Sequence, residues 1–178
     1  EQGLIISEKR DSQDICFVPE GEYRDFLKLH LAGQNLQGNF VDLQGKVLGR
    51  HNGIHHYTIG QRRGIGISAP YPLYVTDICA EERTIVLGKA EDLDRSGLEA
   101  VEVNWIAISE LTSPLRALVQ IRYRHVAASA LLVPGISPNQ VTVVFDAPQR
   151  AITRGQAAVF YDEGNQKVLG GGWISRVI

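Results

Sequence analysis

Cys16 follows the polar run Lys9-Arg10-Asp11-Ser12-Gln13-Asp14 and Ile15, and directly precedes Phe17 and Val18. A thiol sealed in a core has apolar neighbours on both sides, so this pattern presents Cys16 rather than buries it. Lys9 and Arg10 favour the thiolate, the form that attacks or carries sulfur. Asp11 and Asp14 oppose them by raising a thiol pKa. From the residues alone, Cys16 is either a sulfur nucleophile or an ordinary unreactive loop cysteine. The other cysteine, Cys79, sits in the strand-like stretch Val75-Thr-Asp-Ile-Cys-Ala80 and is expected to be a structural, half-buried thiol.

Two arginine-bearing segments could grip phosphate. In Gly60-Gln-Arg-Arg-Gly-Ile-Gly66, Arg62 and Arg63 are guanidinium forks among glycines that let backbone N–H groups approach an anion. The alternative is a glycine-rich turn with two solvated arginines. In Gln120-Ile-Arg-Tyr-Arg-His125, a strand would put Arg122 and Arg124 on one face and Tyr123 on the other. Exposed, such residues hold phosphates and stack on unpaired bases; on residue type alone, Tyr123 belongs more often in a core. His51, His55 and His56 form a local cluster without a suitable further ligand nearby, so no metal site is expected. Gly170-Gly171-Gly172 lacks the Lys-Ser/Thr and the helix of a phosphate loop, and is expected to be a turn between two terminal strands.

Three blocks carry a family resemblance: Asp11-Ser-Gln-Asp-Ile-Cys-Phe17, Tyr57-Thr-Ile-Gly-Gln-Arg-Arg-Gly-Ile-Gly66, and Ala147-Pro-Gln-Arg-Ala-Ile-Thr-Arg-Gly-Gln-Ala-Ala-Val-Phe-Tyr-Asp162 with Val168-Leu-Gly-Gly-Gly-Trp-Ile174. They resemble, in order, signatures of the tRNA-specific 2-thiouridylases, which place sulfur on the wobble uridine. The resemblance implies that Cys16 accepts sulfur as a persulfide from a donor protein and attacks C2 of the base. It further implies that ATP with Mg²⁺, held by an N-terminal ATP-pyrophosphatase domain preceding this stretch, activates the uridine, and that a second cysteine there forms a disulfide with Cys16. No cofactor is expected within this chain, which is read as the C-terminal half of a larger, cytoplasmic enzyme, inactive alone. By the same resemblance, Arg122, Tyr123 and Gln156 contact tRNA, Arg62 and Arg63 lie near RNA or a domain contact, and Arg154 stands where relatives usually have proline, adding a cation beside Gln156. The alternative is a non-catalytic, translation-factor-like RNA-binding barrel.

These residues need a scaffold. With 178 residues, 44% of them hydrophobic, the chain can bury a core, while a net charge of −2 gives no global nucleic-acid signature. Any RNA contact must come from local patches. No apolar run approaches a membrane span, so no membrane partner is expected. Tyr23, Phe26, Leu27 and Leu31 have helical spacing, predicting a helix over 20–31 closed by Gly33. Hairpins are expected around Gln44-Gly45 and Ala80-Glu-Glu. The polar stretch 89–97 separates a small mixed central domain (17–97, after a tail at 1–16 carrying Cys16) from a terminal domain (98–178). Six strands are expected there, over 100–108, 115–123, 128–133, 140–145, 157–161 and 167–177, closing into an antiparallel barrel because closure removes exposed edges. The fold class is mostly β, with a minor helical part.

Overall fold

The structure is a computed structural model and describes residues 36–178. Cys16 and the helix expected over 20–31 lie outside the described residues. The first hairpin joins β1 (Gly38–Val41) to β2 (Val47–His51). Asp42 makes its turn: one carboxylate oxygen accepts the Gln44 and Lys46 N–H groups at 3.0 and 2.9 Å, while Gly45 takes a φ of 83°. The second hairpin joins β3 (Tyr74–Cys79) to β4 (Thr84–Gly88) around Arg83. A pairing that the hairpin reading did not contain joins the two: β1 runs parallel to β4, with Phe40 opposite Ile85, giving the sheet order β2-β1-β4-β3. That contact is set by burial, because Phe40, Ile85, Val75 and Leu87 form one apolar cluster.

The remaining strands are β5 (Asp94–Trp105), β6 (Leu115–Gln120), β7 (Ala128–Pro134), β8 (Val141–Arg150), β9 (Ala157–Tyr161) and β10 (Val168–Val177). They close as an antiparallel barrel in the order β10-β5-β8-β7-β6-β9. Alternation decides which side chains fill it: Ala117 and Val119 of β6, Ala158 and Phe160 of β9 and Val141 and Val143 of β8 all point inward and are buried. Phe160 is fully enclosed, which is worth roughly 1.5–3 kcal/mol.

Three expectations change. β5 starts at Asp94 rather than Ala100, because Asp94 and Arg95 pair with Arg150 and Gln149 of an equally extended β8. Cross-strand pairing makes strand there without any apolar alternation. The strand expected through Tyr123 ends at Gln120, because its pairing to β7 stops at Val119–Ala128 and the chain must reverse. The triple glycine is not a turn: it lies inside β10, where a Cβ on Gly170 or Gly172 would meet the Asn104 or Val101 carbonyl oxygen at 2.6 Å. Neighbouring strands approach so closely that only glycine fits.

Sheet and barrel are tied by named contacts. The Ala151 N–H donates to the Leu93 carbonyl at 2.9 Å, and Arg150 donates from Nη1 to the Ala90 carbonyl at 3.0 Å while its guanidinium lies 5.4 Å from the centre of the Tyr74 ring. Among the described residues, no helix is long and apolar enough to cross a membrane.

Candidate nucleic-acid interface

β6 delivers its last outward residue, Gln120, to the barrel rim, and Ile121 then folds inward and is buried. The chain reverses over Arg122-Tyr123-Arg124, with Arg124 at a φ of 60° and the His125 N–H donating to the Arg122 carbonyl at 3.1 Å. Arg122, Tyr123 and Arg124 therefore all project into solvent from a turn, not from alternate faces of a strand. Tyr123 is 61% exposed, so the core placement its residue type favours does not occur.

On the adjacent β9, a second turn presents Gln156. Gly155 adopts a φ of 78°, and the Gln156 carbonyl accepts the Ile174 N–H at 2.9 Å, which leaves the Gln156 side chain outward. Arg122, Tyr123 and Gln156 thus meet at one open groove of about 290 Å³. Sequence reasoning missed the other lining residues, Gln120, Ala157 and Val159. The signal that could have found them is the period-2 alternation of β9, which turns Ala157 and Val159 out as it turns Ala158 and Phe160 in.

The groove is cationic and partly fixed in place. Arg122 donates from Nη1 to the Arg150 carbonyl at 2.9 Å, and the Arg124 guanidinium sits 5.3 Å from the centre of the Tyr123 ring. Behind the turn, Gln149 donates from Nε2 to the Ala147 carbonyl at 2.8 Å, so its Oε1 accepts from His125 Nε2 at 3.1 Å. His125 Nδ1 is buried without a hydrogen-bond partner. Burial above all, with the Arg122 charge adding to it, lowers the His125 pKa against the opposing Gln149 bond, and the ring is held neutral.

The other candidates lie elsewhere. Arg62 and Arg63 are exposed on a loop pinned to β3 by two hydrogen bonds, Gly60 N–H to the Val75 carbonyl at 2.8 Å and Val75 N–H to the Gln61 carbonyl at 2.9 Å. Neither arginine lines the groove. Arg154, two residues before Gln156, reaches Asp77 of β3 at 3.6 Å, an exposed ion pair of small energetic weight. Cys79 is half-buried, and burial, reinforced by Asp77 and Glu82, raises its pKa against the influence of Arg154; it is a structural thiol. His51 is buried between its partners: Nε2 donates to the Arg83 carbonyl at 3.0 Å and Nδ1 accepts the Gly53 N–H at 3.2 Å. Both ring nitrogens are spoken for. Among the described residues, no group of three His, Cys, Asp or Glu side chains could hold a metal ion. The glycine run lies within β10 and not between a strand and a helix.

Residues 24–89 match the family described as the tRNA methyl transferase PRC-barrel domain, and residues 95–174 match the aminomethyltransferase beta-barrel domain. The chain is 45% identical over 172 residues to the tRNA-specific 2-thiouridylase MnmA of Halothermothrix orenii, with 97% of this chain and 47% of that protein covered. The chain belongs to the tRNA-specific 2-thiouridylase family. The enzyme of the same name from Nostoc sp. is 47% identical over 177 residues, covering 99% of this chain and 49% of its own length. That from Koribacter versatilis is 43% identical over 177 residues, with 97% and 47% covered. The chain spans about half the length of the curated relatives it matches.

Proposed function

We propose that this chain supplies the RNA-holding surface and the sulfur-carrying thiol of a tRNA-uridine 2-sulfurtransferase that makes 2-thiouridine at the wobble position. One observation supports the reading above others: Arg122, Tyr123 and Gln156, brought from separate sequence segments, line a single solvent-open groove. A guanidinium for phosphate, a phenol ring for stacking and an amide that both donates and accepts form a set suited to unpaired RNA. Arg62 and Arg63, exposed on the loop pinned to β3, are a separate candidate contact to RNA or to a neighbouring domain.

Cys16 is the persulfide carrier in this reading. A donor protein's persulfide passes its outer sulfur onto the Cys16 thiolate and is left as a thiol. The terminal sulfur then bonds to C2 of the uridine as the C2–O2 bond breaks and the adenylated O2 leaves as part of AMP. Attack of a second cysteine on the Cys16 sulfur breaks the S–S bond, leaves the outer sulfur on the base and leaves the two cysteines as a disulfide. Activation of the base with ATP and Mg²⁺ is assigned to the part of the relatives' length that this chain does not span.

The test is Cys16→Ser in the intact enzyme, with 2-thiouridine formation and tRNA binding measured on the same preparation. Loss of thiolation with binding retained is expected. Undiminished thiolation would leave the non-catalytic RNA-binding barrel as the better description.

A further inference from the structure

The groove described above ends at Ala157, and Ala157 has a neighbour on its other side. In β10, Trp173 is the direct cross-strand partner of Ala157. Paired residues in an antiparallel ladder point to the same face, with Cβ atoms roughly 4.5–5.5 Å apart. The face is the outer one, since Ala157 is exposed and Ile174, next to Trp173, is buried. Gly171 is the partner of Val159 on the same face, so β9 and β10 contribute only Ala157, Val159 and a glycine to the strip between the indole and the Arg122-Tyr123 turn, with Gln120 and Gln156 also lining the groove. A low floor is thereby bordered by two aromatic side chains, Trp173 at 52% exposed and Tyr123 at 61%. Burial does not explain the indole, because half of its surface faces water.

Resting on the RNA-binding reading of this groove, we propose that Trp173 is a second stacking platform, which takes an unpaired nucleobase of RNA across the Ala157–Gly171 floor from Tyr123. Charge complementarity favours RNA over an apolar protein partner: Arg122 and Arg124 flank the floor at the Tyr123 side and place cations where a sugar–phosphate chain crossing it would run. A large ring over small side chains is the arrangement that base stacking uses, and it is indifferent to base identity. Trp173 therefore adds affinity for single-stranded RNA without adding sequence preference.

The experiment uses the intact protein carrying Trp105→Phe, so that Trp173 is the indole observed among the described residues, and titrates it with a short RNA hairpin bearing an unpaired loop. Fluorescence quenching by the hairpin, but not by a fully paired duplex, is expected. Trp173→Ala should weaken hairpin binding roughly tenfold with an unchanged salt slope, and Trp173→Phe should restore most of the loss. Unfolding curves of each variant separate lost contact from lost fold, and a Trp173→Ala protein that is destabilised leaves the quenching and the Trp173→Phe comparison to decide. Weaker binding by Arg122→Ala together with no quenching and no effect at Trp173 overturns this inference and spares the groove reading. No effect at either residue overturns both. If Trp173→Ala instead abolishes association with a copurifying protein while hairpin affinity holds, the indole is a protein contact and the inference fails.

Discussion

The Arg122 guanidinium donates to the Arg150 carbonyl at 2.9 Å, so the side chain expected to meet phosphate also ties the β6–β7 turn to the end of β8. Arg150 in turn reaches the Ala90 carbonyl, which connects the rim of the groove to the central sheet. Arg122 is thus held in place by the protein's own backbone. A fixed guanidinium loses less rotamer freedom on binding than a free one.

Arg122→Ala is expected to weaken tRNA binding several-fold and to reduce the slope of log affinity against log salt by about one, the loss of a single phosphate contact. Filter binding across a salt series reads both. An unaltered slope would remove Arg122 from the interface.

Acid is expected to destabilise the fold through His51. Its Nε2–H donates to Arg83 and its bare Nδ1 accepts from Gly53, an arrangement that only the neutral ring can make. Burial lowers its pKa against the raising effect of the Arg83 bond, and His125 is lowered as well. The unfolded chain therefore binds protons first, so stability is complete above the ordinary histidine pKa of about 6.5 and declines as pH falls from there toward the depressed folded values. Melting temperatures between about pH 7 and about pH 5 measure this, and His51→Gln should flatten part of the slope. A profile identical to the parent's would contradict the tautomer assigned to His51.

Gly172→Ala is expected to destabilise by roughly 1–3 kcal/mol, the usual range for overpacking. Its Cβ would lie 2.6 Å from the Val101 carbonyl oxygen, which belongs to backbone and cannot swing away. Gly164→Ala is the control, since its nearest neighbour, an Asp162 carboxylate oxygen, is 3.6 Å off. Equal denaturation midpoints for the two variants would refute the close approach of β5 and β10.

Cys79→Ser is expected to leave sulfur transfer intact. A half-buried thiol with a raised pKa is a poor nucleophile, so iodoacetamide should label it slowly at neutral pH. Rapid labelling, or thiolation lost on substitution, would mean that the sulfur chemistry had been placed on the wrong cysteine.

Much of this architecture is readable from residue order, and the departures share a cause. The strands over 157–161 and 128–134 follow apolar alternation, which is a local property. The start of β5 at Asp94 and the parallel β1–β4 contact do not, because each depends on a partner distant in sequence. The Arg122-Tyr123-Arg124 segment misleads for a related reason: its residue types suit a strand, but the hairpin that must reverse there gives it no ladder to join. Arg122 and Tyr123 were nameable from residue type, and Gln156 only through the family resemblance. Their meeting in a groove, with Ala157 as its low floor, required barrel closure through the β6–β9 pairing.

Photo-crosslinking of substrate tRNA to the intact protein, followed by mapping of the linked peptides, tests the central claim most directly. Linked nucleotides at residues 120–124 and 156–159 are predicted, because those segments line the groove. Efficient crosslinking confined to other surfaces, with both segments unlabelled, would contradict the assignment of this groove to RNA.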